Sequence, residues 1–426
     1  MISLNSRHRA DAVISGGFPA LLLAAGLSDH GMHVIVLLHD EPGCPSDAAV
    51  IWGSPALMRI REKFGLDEAR RYTASLSSQL QALIEAHPPY VNITTAFLFA
   101  RTEKDLSLLE AQYALMQELH LPVQHSTDVS GCPFPVRQTL LIRGQVCADI
   151  RRWMSALRRQ LQRDGQRVLS HRIVDISGYH ILTTAGELET PLLVFAGEKP
   201  LGLRSPTLLS LLESRLSIHA HLTAAQPLES ILLPLQQEEM LLLPSANGAD
   251  FLWDGGRVGA AAQKRRMKQM EHILSQRLPD WMPAPWRVSH IVISSDGLPV
   301  IGTVPDASAG MHTLFSAGYD DHGVLGAMHA SAVLMRLILG HASQEDRQFP
   351  PGRFFPGKQQ SSVFLPLKQR LSGTPACPLC RHRLRFGELT DCWECVCCGS
   401  AFDLFGHVKF GPAQQKADVS PRLRPV

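Results

Sequence analysis

The chain has 426 residues, of which 45% are hydrophobic and 19% are charged, and its formal net charge at pH 7 is +2. This composition is typical of a globular protein with two or three domains. The small net charge gives no electrostatic reason to expect binding to nucleic acid or to a membrane surface. No apolar run in the sequence is long enough to span a bilayer.

The N-terminus enters an apolar run directly and lacks the apolar core of a signal peptide, which favours a cytoplasmic location. The cysteines point the same way. The chain has nine, and six of them lie between Cys377 and Cys398. Clustering of this kind in a reducing compartment indicates a metal site rather than a disulfide framework.

The first structural unit is predicted over residues 11–40, which form a strand, a glycine turn, a helix and a second strand. Ala12–Ser15 and Val34–Leu38 are the apolar strand candidates, and Ala20–Leu27 is helix-prone. A unit of this kind opens a dinucleotide-binding fold, in which cofactor phosphates contact backbone N–H groups at the start of the helix.

The glycine fingerprint of this turn is altered. The three glycine positions of the pattern GxGxxG are occupied by Ser15, Gly17 and Ala20, and Gly16 lies between the first two. Gly17 keeps the position that allows close approach of a phosphate. The acidic residue expected to bind the ribose is replaced by Leu38, and His39 and Asp40 follow it. Ser46 is a further candidate phosphate contact in the next loop.

The middle of the chain alternates between helical and strand-like patterns. Predicted helices cover 55–87, 103–120 and 148–164, and predicted strands cover 136–146, 167–176, 180–184 and 192–196. The arginine-rich face of the 148–164 helix is interpreted as an outer, solvated face. Several short strands within 216–253 predict an antiparallel sheet.

The later elements end in a glycine-rich turn. They comprise a basic helix over 259–277, strands over 288–294, 298–302 and 312–317, the turn 318–323 and a helix over 324–339. A polar, Pro/Gly-rich linker, a Cys-rich module and a disordered tail are predicted to follow.

Five blocks then occur in a characteristic order. They are the N-terminal unit, the segment 144–176, LLVFAGE at 192–198, SSDGLPVIGTVP at 294–305 and SAGYDDHGVLGAMHAS at 316–331. This order resembles the D-amino-acid oxidase/glycine oxidase-like family of FAD-dependent oxidoreductases over roughly residues 10–345. The two C-terminal blocks are its most specific part.

The resemblance implies an α/β fold with a Rossmann-type FAD-binding domain, an inserted antiparallel-sheet substrate domain and a small Cys-rich β module at the C-terminus. The FAD-binding domain is expected over 1–60, 136–215 and 288–345, and the substrate domain over 61–135 and 216–287. The linker, the module and the disordered tail are expected over 346–374, 375–413 and 414–426.

The resemblance also implies roles for individual residues. Gly197 is expected at the nucleotide, and His322, Tyr319 and His290 are the candidate catalytic or substrate contacts. Positions near the flavin ring are implied for four further residues: Gly302, Gly318, Gly323 and Val324. The helix beginning near Val324 would direct its positive end at the ring.

Two functional hypotheses are compatible with these residues. The first is an FAD-dependent oxidoreductase that removes a hydride from a C–N bond of a small amine or amino acid. Its weak point is substrate binding, because the arginine that clamps a carboxylate in the family is missing near His290–Val292. The second hypothesis is a non-catalytic descendant that acts as a scaffold or partner subunit. Flavin content of the purified protein separates the two.

The Cys-rich module carries two CxxC pairs, Cys377–Cys380 and Cys395–Cys398. Each pair directs two thiolates at one ion, and two pairs make a tetrahedral four-sulfur site. Zinc is the expected metal, and a rubredoxin-like mononuclear iron is the alternative. Cys392, Cys397 and His382 are spare or alternative ligands.

The segment 393–413, WECVCCGSAFDLFGHVKFGPA, is similar to the second half of a Rieske [2Fe–2S] domain. A Rieske site requires two Cys and two His, and here Cys398 stands where a His belongs. The resemblance therefore implies a Rieske-like scaffold with a four-Cys mononuclear site, and a [2Fe–2S] cluster with altered ligands is the other reading. This module is the expected docking surface for any protein partner. A role in nucleic-acid binding is not expected, since no basic, aromatic stripe accompanies it.

Overall fold

The structure is a computed structural model. It describes residues 8–38, 48–49, 55–86, 88–126, 132–203, 205–235, 240–245, 247–261, 263–304, 310–319, 322–343, 346, 349–351, 353 and 375–419.

The helices of the described residues fall largely where apolar periodicity predicts them. Their bounds are α1 Phe18–Asp29, α2 Pro55–Phe64, α3 Leu66–Ala86, α4 Glu103–Glu118, α5 Ile150–Arg163, α6 Pro206–Leu211, α7 Gln263–Arg277 and α8 Gly323–Ile338. The single helix predicted over 55–87 is divided because Gly65 has a φ of +90° and ends α2. None of these helices is both long and apolar enough to cross a bilayer.

A six-stranded sheet forms the centre of the first domain. Its strands, in spatial order, are β19 Val300–Thr303, β20 His312–Ala317, β12 Leu192–Ala196, β2 Ala12–Gly16, β3 Val34–Leu38 and β8 Arg167–Leu169. All neighbouring pairs are parallel except β19 with β20. Helices α1, α5 and α8 pack together in the main core of this domain. Carboxyl ends of parallel strands share one edge, where ligands of such sheets bind.

A second, mostly antiparallel sheet has ten strands. It comprises β17 Met282–Pro283, β13 Leu212–Thr223, β16 Gly248–Arg257, β15 Leu241–Ser245, β14 Ile231–Leu233, β5 Val91–Ala100, β7 Gln138–Ala148 and β4 Ala48–Ala49, with β18 Arg287–Ser294 beside β13 and β6 Val123–Ser126 beside β7. The division expected from sequence assigned β7 and β18 to the FAD-binding domain, whereas their hydrogen bonds join them to this sheet. The predicted α/β fold with an added, largely antiparallel sheet is confirmed.

Two small sheets complete the described structure. One contains β1 His8–Arg9, β11 Gly186–Glu189, β10 His180–Thr183 and β9 Ile173–Ser177, and the other is the C-terminal module with β21 Arg385–Gly387, β22 Cys392–Glu394, β23 Ala401–Phe402 and β24 Val408–Phe410. Residues 414–419, expected to begin a disordered tail, are ordered instead. Ala417 is buried and its N–H donates to the Gly406 carbonyl at 2.9 Å.

The segment predicted as a linker contributes a buried ion pair. The Arg353 guanidinium donates to both carboxylate oxygens of Asp296, at 2.7 and 3.0 Å, and to the carbonyls of Leu298 and Pro299 at 2.6 and 2.8 Å. Asp296 is fully buried and Arg353 is nearly so. Arg353 thereby holds the Asp296–Gly297 turn that precedes β19.

We expect Arg353→Met to lower the free energy of unfolding by about 3–5 kcal/mol, since it leaves the Asp296 carboxylate buried without its partner. Chemical denaturation with a spectroscopic readout measures the change. Arg137→Met is the control, because the Arg137–Glu103 pair is exposed and contributes no more than about 1 kcal/mol. An equal decrease of the free energy of unfolding in both variants would show that the buried pair contributes no more to stability than the exposed pair.

Candidate active site and metal centre

Three parallel strands bring the predicted nucleotide contacts to one edge. Ala196, the last residue of β12, is paired with Gly16 on one side and with Ser316 on the other. The Gly197 N–H donates to the Ser316 carbonyl at 2.8 Å. Ser15, Gly16, Gly17 and Gly197 therefore lie together, and the turn containing Gly318 follows the neighbouring strand.

Gly16 is required by the sheet itself. Its φ is +145°, and a Cβ at this position would overlap the carbonyl oxygen of Ala196. Ala20, which takes the third position of the fingerprint, is fully buried beneath this turn. The two residues thus allow the strand and helix α1 to pack closely, as the fingerprint requires.

Two helices start at this edge without a side-chain cap. Gly17 precedes α1 and His322 precedes α8, and among the described residues neither N-cap residue gives its helix a side-chain hydrogen bond, although the first turns of both helices are buried. By contrast, α4, α5 and α6 are capped by Thr102, Asp149 and Ser205. Uncapped N–H groups at a buried helix start are a ready-made site for an anion or an electron-rich group.

A carboxylate lies close to the glycine turn that precedes α1. Ser15 is buried and its hydroxyl donates to Glu198 Oε1 at 2.7 Å. Sequence reasoning did not identify Glu198, which follows Gly197 directly. Leu38 is half-buried at the end of β3. The Ser46 prediction, like the candidates His39 and Asp40, lies outside the described residues.

Gly302, expected beside a flavin, and Tyr319, a candidate catalytic or substrate contact, have contacts within the protein. Gly302 has a φ of +147°, and a Cβ there would lie 2.9 Å from Pro351 Cδ. Tyr319 is buried and its hydroxyl is 2.8 Å from Ser316 Oγ. Both residues are accounted for by packing and hydrogen bonding of the turn. Gly318, with a φ of +79°, packs against Ser294 in the same way.

The start of α8 forms a buried cluster with α3. Gly323, with a φ of +36°, and the fully buried Val324 follow His322, which is itself fully buried. The His322 ring meets the Tyr72 ring edge-on at 5.7 Å. Burial, with a contribution from the positive charge of Arg59, lowers the pKa of His322 to about 3. His322 is therefore neutral at physiological pH.

His329 extends the cluster about two turns further along α8. Its Nδ1 is 2.6 Å from Ser75 Oγ, and its ring packs on Tyr72 and Phe349. Burial lowers the pKa of His329 to about 4. Tyr72 and Arg59 were not identified from the sequence, because α2 and α3 carry no motif and meet α8 only in the folded chain.

His290 lies away from this cluster. Its ring stacks on Phe410 of the C-terminal module, with ring centroids 4.5 Å apart. It lies on β18 opposite Leu216 of β13. The structure therefore gives His290 a packing contact between the ten-stranded sheet and the module. The substrate contact expected from its position before the Asp296 turn stays a prediction.

The module brings four predicted metal ligands into one cluster. The sulfur atoms of Cys377, Cys380, Cys395 and Cys398 all lie within 4.8 Å of one another, and the closest pairs are 3.4 and 3.6 Å apart. A tetrahedral ion with metal–sulfur bonds of about 2.3 Å separates its ligands by about 3.8 Å. The geometry of the four thiols therefore fits a single ion.

Further donors surround this cluster. Cys397 and His382 form a second group with Cys380, within the same limit of 4.8 Å. Hydrogen bonds from neighbouring thiols, chiefly that of Cys377, lower the pKa of Cys380. The module thus holds more soft ligands than one tetrahedral ion requires, as expected from its six cysteines.

The module is docked on the body of the protein. Lys199 is buried and donates to the Cys398 carbonyl at 3.1 Å, and burial lowers its pKa to about 8. In the other direction, Glu394 of the module is fully buried and accepts hydrogen bonds from the Gly259 N–H and Gln263 Nε2, each at 2.7 Å. Gly202 also donates to the Pro412 carbonyl at 2.7 Å.

Solved structures share this fold. Glycine oxidase from Geobacillus kaustophilus superposes with a TM-score of 0.64 at 16% identity, covering 82% of this chain and 100% of that one. L-proline dehydrogenase from P. horikoshii gives a TM-score of 0.61 at 12% identity, covering 81% and 98%. The fold expected from the family resemblance is confirmed. The sequence matches no family model and no curated protein.

We expect the free energy of unfolding to fall as the pH drops from about 6.5 towards 4. His322 and His329 have lowered pKa values in the folded state, so the unfolded chain binds their protons first. Each histidine contributes a slope of about 1.4 kcal/mol per pH unit to the free energy of unfolding in this window. Above the window both histidines are neutral in the folded and the unfolded chain, so they no longer lower the stability.

Denaturation curves of His329→Gln at several pH values test this. The variant should lose roughly one histidine's share of the slope, whereas the exposed His341→Gln should keep the slope of the parent. The comparison between variants is the readout, because acid also releases metal from thiolates. An unchanged slope in His329→Gln would contradict a buried, neutral histidine.

We expect the parent protein to hold one divalent ion per chain. We expect Cys395→Ser to lose it, because this variant keeps only three thiolates for a four-coordinate ion. Elemental analysis after gel filtration measures the ratio. Cys392→Ser is the matched control, because Cys392 is buried in the same module but lies outside the cluster. Metal loss in both variants, or in neither, would refute the assignment of ligands.

Proposed function

We propose that the protein is an FAD-dependent oxidoreductase that oxidises a C–N bond of a small amine or amino acid. The observation that carries the proposal is the pair of uncapped, buried helix starts at Gly17 and His322, which lie at the edge where ligands of parallel sheets bind. Three other helices of the chain have side-chain caps. The shared fold supports the same conclusion.

The two helix starts suit two parts of FAD, its pyrophosphate and its flavin ring. Gly17 and the first turn of α1 would hold the phosphates, and Gly323 and Val324 would face the flavin ring. Bound FAD would supply the acceptor for two electrons. The Ser15–Glu198 hydrogen bond is the feature that opposes this arrangement, because a carboxylate beside a phosphate is unfavourable unless it is protonated or turned away.

The proposed substrate class follows the solved relatives. Those relatives are named L-proline dehydrogenase, glycine oxidase, iminodiacetate oxidase and L-amino acid deaminase, and each name denotes an enzyme of small amino or imino acids. No arginine lies on β18 beyond Arg287, which is exposed at its first residue. Arg59 supplies a positive charge near His322 and is our candidate for binding a substrate carboxylate.

The chain's own groups would orient the substrate and exclude water. His322 is neutral, so it cannot act as a cationic clamp, and its low pKa makes it a poor proton acceptor at pH 7. The hydroxyl of Tyr319 is committed to Ser316. We therefore assign no general base, and a substrate that arrives with a neutral amine needs none.

For the C-terminal module we propose a structural zinc ion held by Cys377, Cys380, Cys395 and Cys398. A [2Fe–2S] cluster would need two pairs of thiolates on two separate irons, which is a longer arrangement than four sulfurs within 4.8 Å. Mononuclear iron has the same ligands and would be recognised by its colour. Reduced thiols require a reducing compartment, which agrees with the expected cytoplasmic location.

FAD titration of the purified protein tests the flavin proposal. We expect Gly17→Asp to abolish FAD binding, because it places a carboxylate where the phosphates would lie. The same aspartate is a good N-cap for α1, so the fold should tolerate it. Gly17→Ala reports any effect of adding a Cβ, and it should bind FAD much more tightly than Gly17→Asp.

A yellow protein with two flavin absorption bands, bleached without oxygen by an amine or amino acid, would establish the reaction class. A colourless protein that takes up no added FAD would overturn the proposal and favour the scaffold hypothesis. Equal FAD affinity in Gly17→Asp and in the parent would place the phosphates elsewhere.

A further inference from the structure

The body of the protein covers the four-thiol cluster on the side of the second CxxC pair, residues 395–398, which we call the metal knuckle. A Cβ at Gly399 would overlap Ser214 of β13, and one at Gly259 would lie 2.6 Å from the Val396 backbone nitrogen. Cys395 and Cys398 are fully buried. The side of the knuckle 395–398 that could face another protein is therefore occupied by residues of this chain.

Lys199 is the charged group at this interface. Its side chain is buried, with 4% of its surface exposed, and its ammonium donates to the Cys398 carbonyl at 3.1 Å. In the part of the chain that the structure describes, Lys199 forms no ion pair with a carboxylate.

A buried ammonium requires a compensating negative charge. Four thiolates around a divalent ion carry a net charge of −2, whereas four neutral thiols carry none. The loaded metal centre therefore supplies the anion that Lys199 lacks when the site is empty. Lys199 belongs to the oxidoreductase body, about 180 positions before the first cysteine ligand in the sequence, so no motif of the module reveals it.

The same short turn contacts the phosphate loop. Glu198, next to Lys199, accepts the hydrogen bond of Ser15 at 2.7 Å, and Gly197 donates to Ser316 at 2.8 Å. Residues 197–199 thus contact the end of β2, which leads into the phosphate loop, the end of β20 and the metal knuckle. A group that holds Lys199 in place also restricts Glu198, because the two residues are adjacent.

We propose that Lys199 is a charge partner of the metal centre, and that the loaded centre holds the 197–199 turn against the phosphate loop. The inference rests on the metal part of the proposed function and is independent of flavin binding. Metal binding then favours the ordered conformation of the phosphate loop. By linkage, an ordered loop raises the affinity for the metal by the same factor.

Metal release to a chromogenic chelator, measured on the full chain loaded with Zn²⁺, tests the first part. Lys199→Met and Lys199→Gln both remove the charge, but glutamine can still donate a hydrogen bond to the Cys398 carbonyl. We expect both variants to release Zn²⁺ at least about tenfold faster than the parent. Lys264→Met is the control, because Lys264 is exposed and pairs with Glu388 of the same module.

A Lys199→Gln variant that retains Zn²⁺ like the parent would overturn the charge role and leave only a hydrogen bond. Parent-like release from both Lys199 variants would overturn the inference entirely. A parent protein that binds no Zn²⁺ would overturn the metal proposal itself, and this outcome is distinguished before any Lys199 variant is compared.

Hydrogen exchange of the unaltered protein tests the second part and needs no variant to fold. We expect removal of Zn²⁺ to increase exchange in peptides covering 10–20 and 192–203 as well as in the module. Peptides from α4, which has no contact with the module, serve as the internal control. Increased exchange confined to the module would overturn the link to the phosphate loop.

Discussion

The close approach of Gly16 to the Ala196 carbonyl is the constraint on which the site depends. It draws β2 against β12 at their carboxyl ends, where no side chain fits between the two strands. Helix α1 then starts directly above the sheet edge, and the turn after β12 lies beside the start of α1. The positions of Ser15, Gly17 and Gly197 all follow from that one contact.

Buried charges join the module to the body in both directions. Lys199 reaches from the body to the knuckle of the module, and Glu394 reaches from the module to Gly259 and Gln263. Lys199 and Glu394 each make hydrogen bonds across the interface, and this arrangement tolerates little displacement. The module is therefore an integral part of the fold, and it contacts the same 197–199 turn that accepts a hydrogen bond from Ser15.

Patterns with a local physical cause were correctly interpreted from the sequence. The strand–turn–helix opening and the paired CxxC motifs each depend on residues a few positions apart, and the structure places them as expected. His290 shows the limit of this reasoning. Its place before the Asp296 turn suggested a substrate contact, but a ring from the module stacks on it. The partner ring, Phe410, is 120 residues away in sequence.

The sequence by itself determined the order of elements, the glycine turn before α1 and the grouping of four cysteine thiols, because periodicity, glycine conformation and CxxC spacing are local properties. Only the tertiary structure decided which groups share a site. Lys199 meets Cys398, Arg353 meets Asp296, and Tyr72 meets His322 across separations that carry no motif. Such pairs form because burial forces each polar or aromatic group to find a partner, and packing of the whole chain selects that partner.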